Sequence, residues 1–265
     1  MKTLAVVGAN GFVGSAFVRQ GMAAGFEVTP ITRENYPSFV GQAFDVVVDA
    51  AANSRKYVAD ANPKEDFRLS VEHRLNTLMD FRARTHLHVS SVDVYDDLTS
   101  PETTREDRLI DVSRTSRYGF HKLLAEELVR HYASDWLIVR LAGMVGAGLK
   151  KNPVFDILNG LPLRIHPDSR YQFMLTDDVA RTALALLARA ATRETFNICG
   201  RGLISPRDIA TLCGLTIEES PESGLLPPRV VDIDLSKTTA VNPLPETSST
   251  LLRFLEEARH RNKPR

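Results

Sequence analysis

The first fourteen residues constrain this chain more than any other stretch. Residues 2–7 form an apolar run of the kind that becomes a buried parallel strand. Gly8, Gly11 and Gly14 follow at three-residue spacing, and a helical pattern then runs through Phe17, Val18 and Met22 to Gly25. A strand, a glycine turn and a helix in that order make a cradle for the pyrophosphate of a dinucleotide. Gly8 serves the tight turn, and Gly11 lets the backbone approach the phosphates. Gly14 lets the helix pack on its strand, while free N–H groups at the helix start attract the anion. The expected fold class is α/β: a Rossmann-type doubly wound parallel sheet with a small C-terminal substrate lobe.

At 265 residues the chain is long enough to bury a full core. Lys plus Arg and Asp plus Glu balance at 33 each, so no overall field draws the protein to nucleic acid or to an anionic membrane. The one concentrated basic stretch, residues 259–265, reads as a solvated helix end. There is no apolar run of the roughly twenty residues needed to span a bilayer, and the N-terminus enters a strand with no secretory signal. Cys199 and Cys213 make neither a disulfide framework nor a metal site. The expectation is a cytoplasmic protein with a small-molecule substrate and no metal.

Residues 27–32 read as the second strand, ending at Thr32 and Arg33. An acid at this place accepts hydrogen bonds from the adenosine ribose and repels a 2′-phosphate; Arg33 does the opposite, which favours NADP(H) over NAD(H). Only residues 34–44 separate that strand from the next, 45–50, which is too few for a helix, a strand and another helix. The sheet is therefore expected to be one strand short. Ala50, Ala51 and Ala52 follow, small enough for a cofactor to lie against the backbone. A helix is expected over 63–82 with Phe67, Val71, Leu75, Leu78 and Met79 on one side, then a strand over 86–91. His86 and His88 share one face of that strand without a third ligand nearby. Residues 96–115 read as a loop over the site, followed by a helix carrying Tyr118 and Lys122 and by a strand at 136–141. A helix at 175–191 opens on Asp177 and Asp178, and the last strand falls at 195–198. Ser205, Pro206 and Asp208 mark a capped helix start with Gly214 as its stop. Residues 1–142 plus 176–199 are assigned to the dinucleotide-binding domain, and 143–175 plus 200–265 to the substrate lobe.

Tyr118 and Lys122 stand four residues apart on a helix and share a face. A phenol has an ordinary pKa near 10 and is a poor proton shuttle at neutral pH; an ammonium beside it favours the phenolate. Ser91, at the carboxyl edge of its strand, can hydrogen-bond the same substrate oxygen. Together these groups can protonate or deprotonate a carbonyl/alcohol pair beside a nicotinamide.

The segments VVGANGFVG, DVVVDAAA, HVSSVDVY, YGFHKLLAEE, LIVRLAGMVGAG, YQFMLTDDVA and TFNICG occur in order between Lys2 and about Gly200. In this the chain resembles the extended or atypical short-chain dehydrogenases/reductases of the NAD(P)-dependent epimerase/dehydratase group. The resemblance implies that Ser91, Tyr118 and Lys122 are the catalytic serine, the proton donor/acceptor and the ribose-holding lysine. It implies cofactor contacts from Gly8, Asn10, Gly11, Phe12 and Val13, from Arg33, and from the backbone at Leu141 to Gly143. It also implies a homodimer in which the helices carrying Pro63 and Tyr118 pack together.

Departures from the family pattern are as informative. The usual acid after the catalytic hydroxyl residue is replaced, with Val92 and Asp93 at the Asp–Glu positions of the dehydratases, so water elimination is not expected. Ser70 stands where many members have an asparagine, and Gly143 stands where an asparagine often meets a sugar-nucleotide diphosphate. Arg170 lies one residue off the register of the family's usual arginine. Substrate contacts are expected from Ser91, Asp93, Tyr95 and Arg170, while Lys150, Lys151, Arg164 and Arg170 either converge on one anion or serve solubility. The function expected is hydride transfer at a carbonyl/alcohol carbon, with a sugar nucleotide as the substrate that the resemblance implies. The alternatives are an epimerase with internal redox and, from another class, a non-catalytic dinucleotide-sensing or scaffold protein.

Overall fold

The computed structural model describes residues 1–189, 192–221 and 223–261, with the side chains of 259–261 excepted. The end of the helix expected at 175–191 and most of the basic tail lie outside the described residues. The glycine turn falls between β1 (Thr3–Val7) and α1 (Gly14–Ala23). β2 (Glu27–Ile31), β3 (Ala43–Asp49), β4 (Arg82–Ser91), β5 (Trp136–Leu141), β6 (Gly143–Val145), β7 (Phe173–Leu175) and β8 (Glu194–Ile198) follow in order. Six of these strands form one parallel sheet in the order β2-β1-β3-β4-β5-β8, and β6 pairs with β7 in a separate ribbon. The direction of winding reverses between β1 and β3, the place where open α/β sheets leave a crevice at their carboxyl ends. Val7 pairs with Asp49, Asp49 with His88 and Ser91 with Leu141. The register therefore brings the glycine turn, the alanine run and Ser91 to one edge.

β2 is an edge strand because nothing is added beyond it. Residues 34–42 hold only a short 3-10 turn at Tyr36–Phe39, as the sequence spacing required. That turn covers the end of the sheet: Tyr36 packs edge-on against Phe81 and donates a 2.9 Å hydrogen bond to Asp80.

The helix expected over 63–82 is broken. α2 (Lys56–Ala61) and α3 (Pro63–Phe67) lead into a π turn at Arg68–Glu72, then α4 (His73–Asp80), and β4 begins at Arg82 instead of residue 86. A π turn adds one residue to the period and rotates everything after it. Met79 consequently faces outward, while Arg74 and Thr77 turn in; Phe67, before the turn, is exposed as well. Arg74 is 2% exposed and pairs with the buried carboxylate of Asp49. Burial pushes that carboxyl up, but Arg74 and His73 overcome it and hold the group far below the usual carboxylate range.

α5 (Arg117–Tyr132) is capped by Ser116, whose hydroxyl accepts from the Gly119 N–H at 3.0 Å. α6 (Pro153–Leu158) and α7 (Thr176–Ala188) follow, the latter with Asp177 and Asp178 in its first turn as expected. α8 (Pro206–Cys213) begins with a full capping box from Ser205 and Asp208 and ends on left-handed Gly214. α9 (Ser236–Val241) and α10 (Thr247–Arg261) are the last elements among the described residues. Apolar clusters lie on both faces of the sheet, one taking Leu4, Val6 and Val48 and another Ala5, Val7 and Val47, and a separate cluster joins Val145, Val154, Ile157, Phe173, Ile209 and Phe254 from β6, β7, α6, α8 and α10.

Truncating Arg74 to Met leaves the buried Asp49 carboxylate without its guanidinium partner, with an expected loss of about 3–5 kcal/mol in urea unfolding at pH 7. Because Arg74 depresses Asp49 in the folded state, its contribution is present above the unfolded carboxyl value near 4 and fades below it. The gap between wild type and Arg74→Met is expected to narrow as the pH falls below about 4; a constant gap would count against this pairing.

Candidate active site

The glycine turn has the shape a pyrophosphate needs. Gly8 has φ +81°, and a Cβ there would come within 3.0 Å of the Ala51 backbone. Gly14 allows no side chain either, because its Cβ would overlap the Gly8 carbonyl at 2.1 Å. The turn is pinned to β2 by hydrogen bonds from the Gly8 and Ala9 N–H groups to the Ile31 carbonyl at 2.9 and 3.1 Å. α1 has no side-chain cap, and the N–H groups of Phe12 and Val13 find no acceptor among the described residues. Free donors at a helix start, with bare glycine before them, fit a dinucleotide diphosphate. Ala51 closes the opposite wall and is itself held, its N–H donating to Asp49 at 2.9 Å. Arg33 is exposed just past β2, in a turn closed by Thr32 and Asn35, and has no carboxylate partner among the described residues.

The catalytic candidates meet at the other side of this crevice. Gly119 lets the start of α5 lie directly on the Asp93 carbonyl, since a Cβ there would sit 1.8 Å from that oxygen. Tyr118 is thereby brought beside the end of β4, with Ser91, Asp93 and Lys122 all nearly buried around it. The Ser91 hydroxyl donates to Asp93 Oδ2 at 3.1 Å and lies near the phenol. Ser90 points the other way and donates to Glu126 at 2.6 Å, within a buried cluster anchored by Arg140.

The electrostatics correct one expectation. Lys122 Nζ lies over the Tyr118 ring, 5.4 Å from its centre, and makes no hydrogen bond to the hydroxyl. Burial, then Asp93, then Asp66 push the phenol far above its ordinary value, and the Ser91 hydroxyl offsets only part of this. The group is a protonated phenol, a donor. Lys122 is pulled down to about 8 by burial and by Arg74. It makes no hydrogen bond to a described residue, so its ammonium is free for a ligand.

Asp93 is the centre of a cationic cluster that spacing along the chain does not reveal. Its Oδ1 receives Lys56 Nζ from α2 and Arg229 Nη2 from the C-terminal segment, each at 2.7 Å. Burial raises the Asp93 carboxyl, yet the two cations more than offset this and hold it below its usual range. Arg229 arrives there because residues 169–171 run alongside 229–231, with the Arg170 N–H donating to the Arg229 carbonyl at 2.7 Å and the Val231 N–H to the Arg170 carbonyl at 2.9 Å.

Several predicted substrate contacts fall elsewhere. Arg170 supplies backbone to this arrangement, while its side chain acts on Asp208. Lys151 bonds Ser54 and sits near Arg55 and Lys56, whereas Arg164 acts on Asp156, so the four cations named from sequence do not converge. Tyr95 is buried, donates to Asn197 at 2.9 Å and lies under the Arg140 guanidinium, 4.8 Å from the ring centre. Gly143 is glycine because a Cβ would strike the Gln172 carbonyl and the Phe173 ring, a packing demand of the β6–β7 ribbon. Leu141 has its side chain in the core and offers only backbone. His86 and His88 do share a face, buried beneath the sheet. Burial and Arg74 hold both imidazoles neutral, and no cluster of three or more metal-type ligands occurs among the described residues.

Comparison with known proteins agrees with this geometry. Solved structures of the same fold include a dTDP-4-dehydrorhamnose reductase from Clostridium acetobutylicum, at 20% identity and TM-score 0.80, covering 98% of this chain and 100% of that one. A UDP-glucose 4-epimerase from Thermotoga maritima with UDP-glucose matches at 18% identity and TM-score 0.79, with 98% and 100% covered. A dTDP-4-dehydrorhamnose reductase from Bacillus anthracis in complex with NADP matches at 14% and 0.79, with 97% and 98% covered. No curated protein matches the sequence. The model of the NAD dependent epimerase/dehydratase family matches residues 4–199, which is most of the chain and includes the glycine turn, Ser91, Tyr118 and Lys122. The protein belongs to that family.

Proposed function

We propose that this protein is an NADPH-dependent reductase acting on the ketone of a keto-sugar nucleotide. The observation that carries the reading is Tyr118, a phenol kept protonated by burial and by Asp93 and Asp66 at the mouth of a dinucleotide cradle. When bound, the nicotinamide supplies hydride to the carbonyl carbon. Tyr118 gives its proton to the developing alkoxide oxygen, and Ser91 donates a hydrogen bond to the same oxygen. Lys122, which makes no hydrogen bond to a described residue, would hold the ribose hydroxyls of the bound cofactor. A protonated donor suits reduction, where the catalyst must give a proton, better than the oxidation that opens an epimerase cycle.

Arg33 supports NADP(H) over NAD(H), since an unpaired guanidinium at this place matches a 2′-phosphate. Gly8, Asn10, Gly11, Phe12 and Val13 would hold the diphosphate, and Ala50 to Ala52 would face the adenosine half. Residues 143–175 and 200–265 are proposed as the substrate lobe. Lys56 and Arg229 share one carboxylate, which leaves one positive charge in excess at the entrance, with Arg55 and Lys151 close by. Such a rim suits an anionic substrate, and structural neighbours are solved with UDP-glucuronic acid or UDP-glucose. No helix among the described residues is long and apolar enough to cross a membrane, and a cytoplasmic location is proposed.

The outer face of α3, the π turn and α5 supports a homodimer. Phe67, Val71, Leu124, Leu128 and Tyr132 line an apolar groove there, and Phe67 and Tyr132 are more than two-fifths exposed.

Turnover of NADPH with dTDP-4-dehydrorhamnose is expected to fall at least about a hundredfold in Tyr118→Phe, with cofactor affinity unchanged. In the same assay Arg33→Ser should cost roughly tenfold in NADPH affinity and leave NADH affinity alone. Full turnover by the Phe variant would remove the reading. Sedimentation velocity at micromolar concentration should show a dimer that Leu128→Glu converts to monomer; a wild-type monomer would refute the proposed interface.

A further inference from the structure

Asp93 holds one more cation than a carboxylate needs, and the hydride and proton transfers described above use neither of the two. Lys56, the first residue of α2, and Arg229, from the C-terminal segment, both reach Asp93 Oδ1, each at 2.7 Å. Both arrive on fixed backbone. The Arg229 N–H donates to Ser169 Oγ at 3.0 Å, and its carbonyl accepts from the Arg170 N–H at 2.7 Å. Lys56 follows a turn in which the Asn53 side chain bonds the N–H and the carbonyl of Arg55 at 2.8 and 2.9 Å. The Asp93 side chain is only 10% exposed, whereas those of Lys56 and Arg229 are 50% and 43% exposed. A ligand entering the crevice therefore meets the cations before it meets the carboxylate.

The distance of these cations from the chemistry is set by one side chain. The other oxygen of Asp93, Oδ2, accepts from the Ser91 hydroxyl at 3.1 Å, and the Asp93 N–H donates back to Ser91 Oγ at 3.2 Å. Gly119 seats α5 on the Asp93 carbonyl and so fixes the same residue against the helix that carries Tyr118. The cations thus stand one carboxylate's width beyond the serine that meets the reacting oxygen. An anionic group carried on the sugar, within a carbon or two of the carbonyl, spans that gap. Charge then selects the kind of anion. Lys56 and Arg229 against Asp93 leave one positive charge in excess, which one carboxylate balances. Burial lowers the Lys56 ammonium from its ordinary value; Asp93 opposes this and Arg229 adds to it, so a further negative charge is favoured there. A guanidinium beside an ammonium also has more donors than the single oxygen of Asp93 uses, enough to bond both oxygens of an incoming carboxylate.

We propose that Lys56 and Arg229 form a subsite for a carboxylate on the reacting sugar, so that an acidic keto-sugar nucleotide is preferred to a neutral one. Asp93 occupies both cations in the free protein and yields them to the substrate carboxylate when it arrives. Lys151 of the substrate lobe meets the Ser54 hydroxyl at 3.3 Å, two residues before Lys56, and with the exposed Arg55 it is left for the phosphates. The inference rests on the reading of this site as one for sugar nucleotides.

The test is binding to the full chain saturated with NADP⁺, measured by isothermal titration calorimetry with pairs of compounds that differ only in the carboxylate. One pair is UDP-glucuronic acid and UDP-glucose. The other, which removes any dependence on the base, is glucuronic acid 1-phosphate and glucose 1-phosphate. Wild type should bind the acid of each pair at least about tenfold more tightly than the neutral member. Lys56→Met and Arg229→Gln should each bring the two affinities to within about threefold, with that for the neutral member unchanged. Lys56→Arg, which keeps the charge, should keep the preference. Should Arg229→Gln fail to fold, Lys56→Met, at a half-exposed position, carries the test. Equal binding of acid and neutral compound by wild type, or a preference that survives Lys56→Met, overturns the inference alone. Failure to bind any of the four compounds removes the sugar-nucleotide reading and the inference with it.

Discussion

The buried ion pair of Asp49 and Arg74 is the contact on which the rest of the site depends. Asp49 closes β3 at the sheet's crevice, and its two oxygens serve two different structures. Oδ1 holds the Ala51 N–H and so fixes the wall against which Gly8 is packed, while Oδ2 pairs with Arg74 of α4. The same guanidinium contributes to the lowered value of Lys122 and helps keep His88 uncharged. One pair thus joins the shape of the dinucleotide cradle to the electrostatics of the catalytic helix. Burying two charges is costly, and a well-packed apolar pair could replace them with little loss of stability. What an apolar pair could not do is hold the Ala51 amide and set the charge beneath Lys122.

Around that pair the polar groups of the site gather in two buried clusters. Asp93 is matched by Lys56 and Arg229, and Asp66 by Asn53 and His121. An anionic substrate drawn to Lys56 and Arg229 would compete with Asp93 for them.

Much of this architecture was legible in the sequence because it is written in short-range patterns. The glycine turn, the capped start of α8, the short span after β2 and the Tyr118–Lys122 spacing all come from residues within a dozen positions of one another. The groups that set the charge of the site are different in kind. Asp93 meets Arg229 across 136 positions and His121 meets Asp66 across 55, and no periodicity announces either. The π turn at Arg68–Glu72 rotated α4 so that Arg74 faces inward, where an uninterrupted helix pattern predicts Leu75 and Met79. A hint was present in Asp49, a charge at the end of an otherwise apolar run, since such a charge requires a partner. The lysine beside Tyr118 illustrates the limit of spacing arguments: four residues apart on a helix placed Nζ over the ring, with no hydrogen bond to the hydroxyl.

Isotopic transfer tests most directly whether Tyr118 is the donor in a net reduction. Protein supplied with NADPH deuterated at the transferred position of C4 and with a keto-sugar nucleotide is followed by mass spectrometry of the product sugar. Deuterium should appear at the former carbonyl carbon, one per NADPH oxidised. Interconversion of two sugar nucleotides by the purified protein, with no NADPH consumed and no deuterium incorporated, would contradict it.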